Sequence, residues 1–152
     1  MTIEQYLNKI EALQSDKSTV VFTDNADLEF YIQKIRQKSN EPSFTLDIFL
    51  KKQISETTTL NHEIIKLFEN QLGLLFLEKE SGNVCFADSD EVRPEYRQNF
   101  RLIDVLDYIY AFAHSSVFVT SKKIMITSET DLFWDLVKIG ESLRREITSE
   151  NW

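Results

Sequence analysis

A single cysteine, Cys85, excludes an intrachain disulfide framework and fits a free thiol in a reducing compartment. Glycine is almost as scarce. Gly73, Gly82 and Gly140 each stand alone, so neither a glycine-rich phosphate loop nor a dinucleotide-binding turn can be assembled from them. Only two prolines are present, which leaves no linker-like or low-complexity stretch. The two histidines, His62 and His114, are far from each other and from Cys85 in the chain. No zinc-ligand spacing results, and neither a metal nor another cofactor is expected. No apolar run approaches the roughly 20 residues that span a bilayer. The opening "MTIEQYLNKIEALQ" lacks the basic start and apolar run of a signal peptide. These absences together predict a cytoplasmic protein with no membrane contact.

Positive charge is also short. Seventeen basic residues face 25 acidic ones, for a net charge of −8. Sequence-independent nucleic-acid binding depends on Lys and Arg neutralising phosphates, so the balance counts against it. The excess is uneven: residues 43–90 hold four Lys against eight acids, so an anion-binding face belongs in the last third of the chain. What the chain has in quantity is aromatic side chains. Eleven Phe, five Tyr and two Trp predict an aromatic-rich core. A length of 152 residues suits one domain, 1–152, and a chain this long buries roughly 68–70% of its unfolded surface.

Periodicity gives the elements. Ile3, Tyr6, Leu7, Ile10 and Leu13 recur at helical spacing over residues 2–14, and Thr2 with Gln5 fits a capping box. "STVVFT" (18–23) has the β-branched content of a strand. Asp24 or Asn25 then opens a helix to about Lys38, with Leu28, Tyr31, Ile32 and Ile35 inward. "SFTLDIFLKK" (43–52) alternates Phe44, Leu46, Ile48 and Leu50 against Thr45 and Asp47, the pattern of a half-buried strand. A helix over 61–72 buries Ile64, Ile65, Phe68 and Leu72, and Gly73 supplies its left-handed stop. "LLFLEK" and "NVCFAD" around "ESG" predict one hairpin, and "VFVTSKKIMIT" (117–127) predicts a second. A last helix starts at a Ser128–Asp131 capping box and buries Leu132, Phe133, Leu136, Val137, Gly140 and Leu143.

The most informative stretch is 102–114. Leu102, Val105, Leu106, Ile109 and Phe112 make one face, and Ile103, Tyr110 and Ala113 widen it. A helix apolar nearly all round is buried between layers. Tyr108 and Tyr110 can bury their rings while the hydroxyls find partners. The order of elements, without regular βαβ alternation, predicts an α+β domain: a small mixed or antiparallel sheet, about five helices, and 102–114 at the centre.

Candidate chemistry is sparse. Catalysis by His114 needs a carboxylate and a nucleophile within hydrogen-bond reach. Asp107 lies two turns back, and Ser115 and Ser116 sit in no glycine-flanked elbow. A histidine in a last helical turn instead suits the helix dipole. Asp104–Asp107 and Asp131–Asp135 are carboxylate pairs at helical spacing, and acids in a first turn favour the positive helix end without catalysis. The remaining candidate is basic-aromatic. Arg93, Tyr96, Arg97, Phe100 and Arg101 interleave cations with rings, as nucleic-acid backbone readers do. Lys122 and Lys123 at a turn tip extend the set, and Arg144 and Arg145 suit the end of the last helix.

"NFRLIDVLDYIYAFAHSS" resembles the C-terminal specificity region of type ISP restriction–modification enzymes, where a "DYIYAxLHS" helix is a hallmark. "NHEIIKLFENQLGLLFLEKESG" resembles that region's helix-then-strand lead-in, and "FWDLVKIGESLRREI" its closing helix. The likeness covers about residues 43–147 and leaves 1–42 unmatched. It implies a piece of a target-recognition module, which reads duplex DNA beside a restriction–modification protein and carries no enzyme of its own. The interval "VFVTSKKIMITSETDL" departs from the family, being short and without Pro or Arg. The competing expectation is an acidic protein-interaction adaptor that binds no DNA.

Overall fold

The computed structural model describes residues 3–15, 26–37, 41–52, 58–77 and 99–150. In chain order the elements are α1 (Ile3–Ser15), α2 (Ala26–Arg36), β1 (Ser43–Phe44), α3 (Leu46–Phe49), β2 (Leu50–Lys52), β3 (Thr58–Leu60), α4 (His62–Leu72), β4 (Leu75–Leu77), β5 (Asn99–Arg101), α5 (Leu102–Ala113), α6 (Ser116–Ser121), β6 (Ile124–Met125) and α7 (Thr130–Glu150). The class is α+β, as expected. Among the described residues, however, there are seven helices, and the strands form three separate two-stranded ribbons instead of one sheet. β1–β6 and β2–β3 are antiparallel, and β4–β5 is parallel, with Leu75 opposite Asn99 and Leu77 opposite Arg101.

α5 is the centre. Asp104 through Ala113 are all buried, including both aspartates. The helix lies chiefly against α7, with α1 and α2 also on it. Its start is set by Asp104, whose Oδ2 accepts the Arg101 backbone N–H at 2.9 Å. The predicted aromatic core surrounds it. Tyr108 stacks on Phe133 with centroids 5.3 Å apart and meets Phe68 edge-on at 5.4 Å. Phe44 and Phe49 continue the cluster beyond Phe68.

α5 and α7 touch where α7 has no side chain. A Cβ placed on Gly140 would overlap the Asp107 carbonyl and lie 2.9 Å from its Cα. Gly140 is therefore a close-approach glycine. Gly73 serves a different purpose: it closes α4 at φ 68° with open space around it, and its N–H reaches the Glu69 carbonyl. At the other end of α4, Asn61 caps the helix by accepting the Glu63 N–H.

Three segments differ from their patterns. Residues 43–52 are not one strand. Leu46 to Phe49 make a helical turn that buries Leu46 and Phe49, three apart, and turns Ile48 outward to 48% exposure. Residues 117–121 of "VFVTSKK" belong to helix α6, not to a hairpin arm, and Lys122 and Lys123 follow as its turn. Ser115 caps it, its Oγ accepting the Phe118 N–H while donating to the Phe112 carbonyl at 2.6 Å. Val117 and Phe118 are buried at this joint, so packing and a cap outweigh β-propensity. α7 starts at Thr130, one residue later than a Ser128 cap requires; the Ser128 N–H goes to Glu41 instead of Asp131, and Thr127 Oγ1 takes that of Glu129. The first predicted hairpin contributes β4, but β4 pairs with β5; "NVCFAD" and the 18–23 strand lie outside the described residues.

Candidate functional site

His114 ends α5, and its ring has one close partner. Nδ1 lies 2.7 Å from the Tyr110 carbonyl, an atom that can only accept, so Nδ1 carries the proton. The ring meets Tyr110 edge-on at 4.6 Å. Burial pushes the imidazole below its ordinary value, against the pull of the Tyr110 carbonyl and Glu146. His114 thus fastens the last turn as a neutral donor. The cap is a hydrogen bond to a last-turn carbonyl, and burial opposes the charge that the helix dipole would favour. A lowered folded pKa gives stability that is present above the ordinary 6.5 and lost as pH falls through the folded value. Melting temperature is expected to decline between about pH 7 and about pH 5, and the decline should flatten in His114→Asn, which keeps a donor but does not titrate.

The serines beside it are structural as well. Ser115 joins α5 to α6, and Ser116 donates through N and Oγ to Glu29 on α2, at 3.1 and 2.5 Å. The "DYIYA" part behaves alike. The Tyr108 hydroxyl donates to the Met125 carbonyl at 2.5 Å and accepts the Thr127 N–H at 3.2 Å, which ties α5 to β6. Leu106, Ile109 and Phe112 are fully buried.

Asp107 belongs to a group that no sequence spacing suggests. Tyr6 on α1 donates to its Oδ1 at 2.5 Å. Arg144 on α7 grips both oxygens, Nε to Oδ1 at 2.9 Å and an Nη to Oδ2 at 3.1 Å. The Arg144 guanidinium also lies 5.7 Å from the Tyr6 ring centroid. Burial pushes the Asp107 carboxyl up, opposed by Arg144 and Tyr6. Three converging donors nonetheless fit only the ionised carboxylate, and the carboxylate in turn holds Arg144 charged. Arg144 therefore serves a buried ion pair, not the end of the helix as its sequence position suggests. One clue was legible: a carboxylate on a helix apolar all round must have a partner. The partners lie 37 and 101 residues away, beyond any local pattern.

The DNA-contact candidates are not brought together among the described residues. Arg93, Tyr96 and Arg97 lie outside them. Arg101 is half-buried, its Nε 3.7 Å from Asp104, and its neighbour Phe100 is fully buried against Phe133. Lys122 and Lys123 are at the α6–β6 turn. Lys123 is exposed, and the Lys122 ammonium lies 5.5 Å from the Phe118 ring. Lys122 has φ 59°, and its N–H reaches the Phe118 carbonyl at 2.8 Å, so a lysine fills a left-handed cap position that suits glycine. Lys122→Gly is expected to raise stability by about 1 kcal/mol in chemical denaturation.

The Asp131–Asp135 pair lines a cleft of about 700 Å³ between α2, the end of α4 and the start of α7, with Lys34 and Leu72. Burial pushes Asp135 up and Asp131 adds to it, while Lys138 and Lys34 oppose. The lining mixes both charges and suits polar groups. His62 is exposed at the start of α4. Among the described residues no three His, Cys, Asp or Glu side chains converge as metal ligands do, and no helix is long and apolar enough to cross a membrane.

Fold and site together define an α+β domain organised by one buried helix whose polar side chains are engaged within the protein. No protein-family model matches the chain, and neither a curated protein nor a solved structure matches it.

Proposed function

We propose that this chain is a non-catalytic recognition module of the kind implied by its resemblance to the type ISP specificity region, engaging duplex DNA or a restriction–modification protein. The observation that carries the reading is the engagement of the resembling helix. His114 is bonded to Tyr110, Ser115 to Phe112 and Phe118, and Asp107 to Arg144 and Tyr6. A helix so committed positions other surfaces and does not itself meet a ligand. The contact set is the basic-aromatic run with Arg93, Arg97 and Arg101, and the turn with Lys122 and Lys123.

Fluorescence anisotropy on labelled duplex tests it. Retention should fall steeply as salt rises from about 50 mM to about 200 mM. Lys122→Ala with Lys123→Ala should lower the slope of log K against log salt by about two. Absence of retention at the lowest salt, or an unchanged slope in the double variant, removes the DNA reading. The net charge of −8 and the internal pairing of Arg101 favour a second reading, an acidic protein-interaction adaptor. It predicts no DNA retention at any salt and a specific protein partner in pull-downs.

A further inference from the structure

We propose that α1 is a latched strap, a helix that opens separately from the domain and is held on the α5–α7 pair by the Tyr6 hydroxyl at Asp107. Three features carry this. The first is how Asp107 is satisfied. Arg144 contacts both carboxylate oxygens by itself, so Tyr6 can leave without stranding a buried charge. The polar centre is complete in the α5–α7 pair, and α1 adds a third donor to it.

The second is the length of α1. A helix of 13 residues is marginal in water on its own, so its order depends on docking. Docking rests on one face, where Tyr6, Leu7 and Ile10 are buried. Gln5, Asn8 and Lys9 point to solvent. The third is the independence of what lies beneath. α5 and α7 meet at the Gly140–Asp107 close approach and share the Tyr108–Phe133 stack, and neither contact involves α1. Local opening follows such boundaries, where one element adds to a core already closed. Opening would uncover the Tyr110 ring, which Tyr6 meets edge-on at 5.3 Å, and one edge of the Asp107–Arg144 pair.

Native-state hydrogen exchange on the full chain, resolved by segment, tests this in the wild type, Tyr6→Phe and Leu7→Ala. Tyr6→Phe keeps the ring and removes only the hydroxyl. Wild-type α1 amides should exchange through an opening that leaves α5 and α7 protected. Tyr6→Phe should cut α1 protection about ten- to a hundredfold, the range for losing a hydrogen bond to a charged group. Leu7→Ala should act on α1 in the same direction, and α5 and α7 should keep their protection in both variants. Equal protection of α1 and α5 in the wild type overturns the proposal. So does loss of protection in all three helices by one common factor, or an α1 indifferent to Tyr6→Phe.

Discussion

Gly140→Ala is expected to destabilise the protein by at least about 3 kcal/mol, the top of the range for overpacked cores. For a domain of this size that is a fall of roughly 6–12 °C in melting temperature. The added methyl meets backbone and cannot be relieved by a side-chain rotation. It overlaps the Asp107 carbonyl, so α7 must move away from α5 or rotate about its axis. Either movement disturbs the partners packed along the same pair, the Tyr108–Phe133 stack and the Arg144 grip on Asp107. Alanine's better helix propensity returns about 1 kcal/mol and does not offset this. Gly73→Ala is the control. It has open space and only a positive φ to satisfy, so it should cost about 1 kcal/mol. Urea titrations of the two variants separate close approach from backbone freedom. Equal losses would mean that the helices are not in contact at Gly140.

The same pair shows how far the sequence carries. The buried face of α7, Gly140 included, follows from helical spacing, because one periodic face is a local property. So do α4 with its Asn61 and Gly73 ends, and the burial of 102–114. The reason Gly140 must be glycine is not local: it depends on which carbonyl of another helix arrives there. Segment 117–121 has β-branched residues and becomes helix, since Ser115 caps it and Phe118 enters the core. The alternation of 44–48 suggests a strand, yet residues 46–49 turn, because Phe49 finds Phe44 and the core while Ile48 is left outside. At the candidate site, the sequence places His114 in the last turn of an apolar helix and gives Ser115 and Ser116 no role; the joint they make with α2 and α6 depends on Glu29 and Phe118, which no local pattern ties to them. It marks Asp107 only as an acid in an apolar stretch. Tyr6 and Arg144 stand at opposite ends of the chain, and only the docking of α1 and α7 on one helix brings them to it.

Asp107→Ala should destabilise the domain by about 3 kcal/mol, the low end of the cost of breaking a buried ion pair. The low end applies because the Arg144 side chain keeps 26% of its surface exposed and can turn partly to water. The Tyr6 hydroxyl has less freedom, since its other near acceptor is the Leu106 carbonyl at 3.5 Å. Asp107→Asn should cost less than alanine. Its oxygen can still receive Tyr6 and the Arg144 Nε, while its amide faces the Arg144 Nη, donor against donor. The decisive comparison is the joint replacement of Tyr6, Asp107 and Arg144 by Phe, Leu and Met. Removing all the polar partners leaves nothing buried and unpaired, and such replacements are commonly neutral or stabilising. The triple variant should therefore regain most or all of the alanine loss in thermal and urea unfolding. If it remains as unstable as Asp107→Ala, the cost lies in lost shape at the α1–α5–α7 junction and not in a stranded charge. If it is as stable as the wild type, the triad's contribution is to where α1 docks, because one carboxylate with three converging donors admits one register of that helix on the pair below.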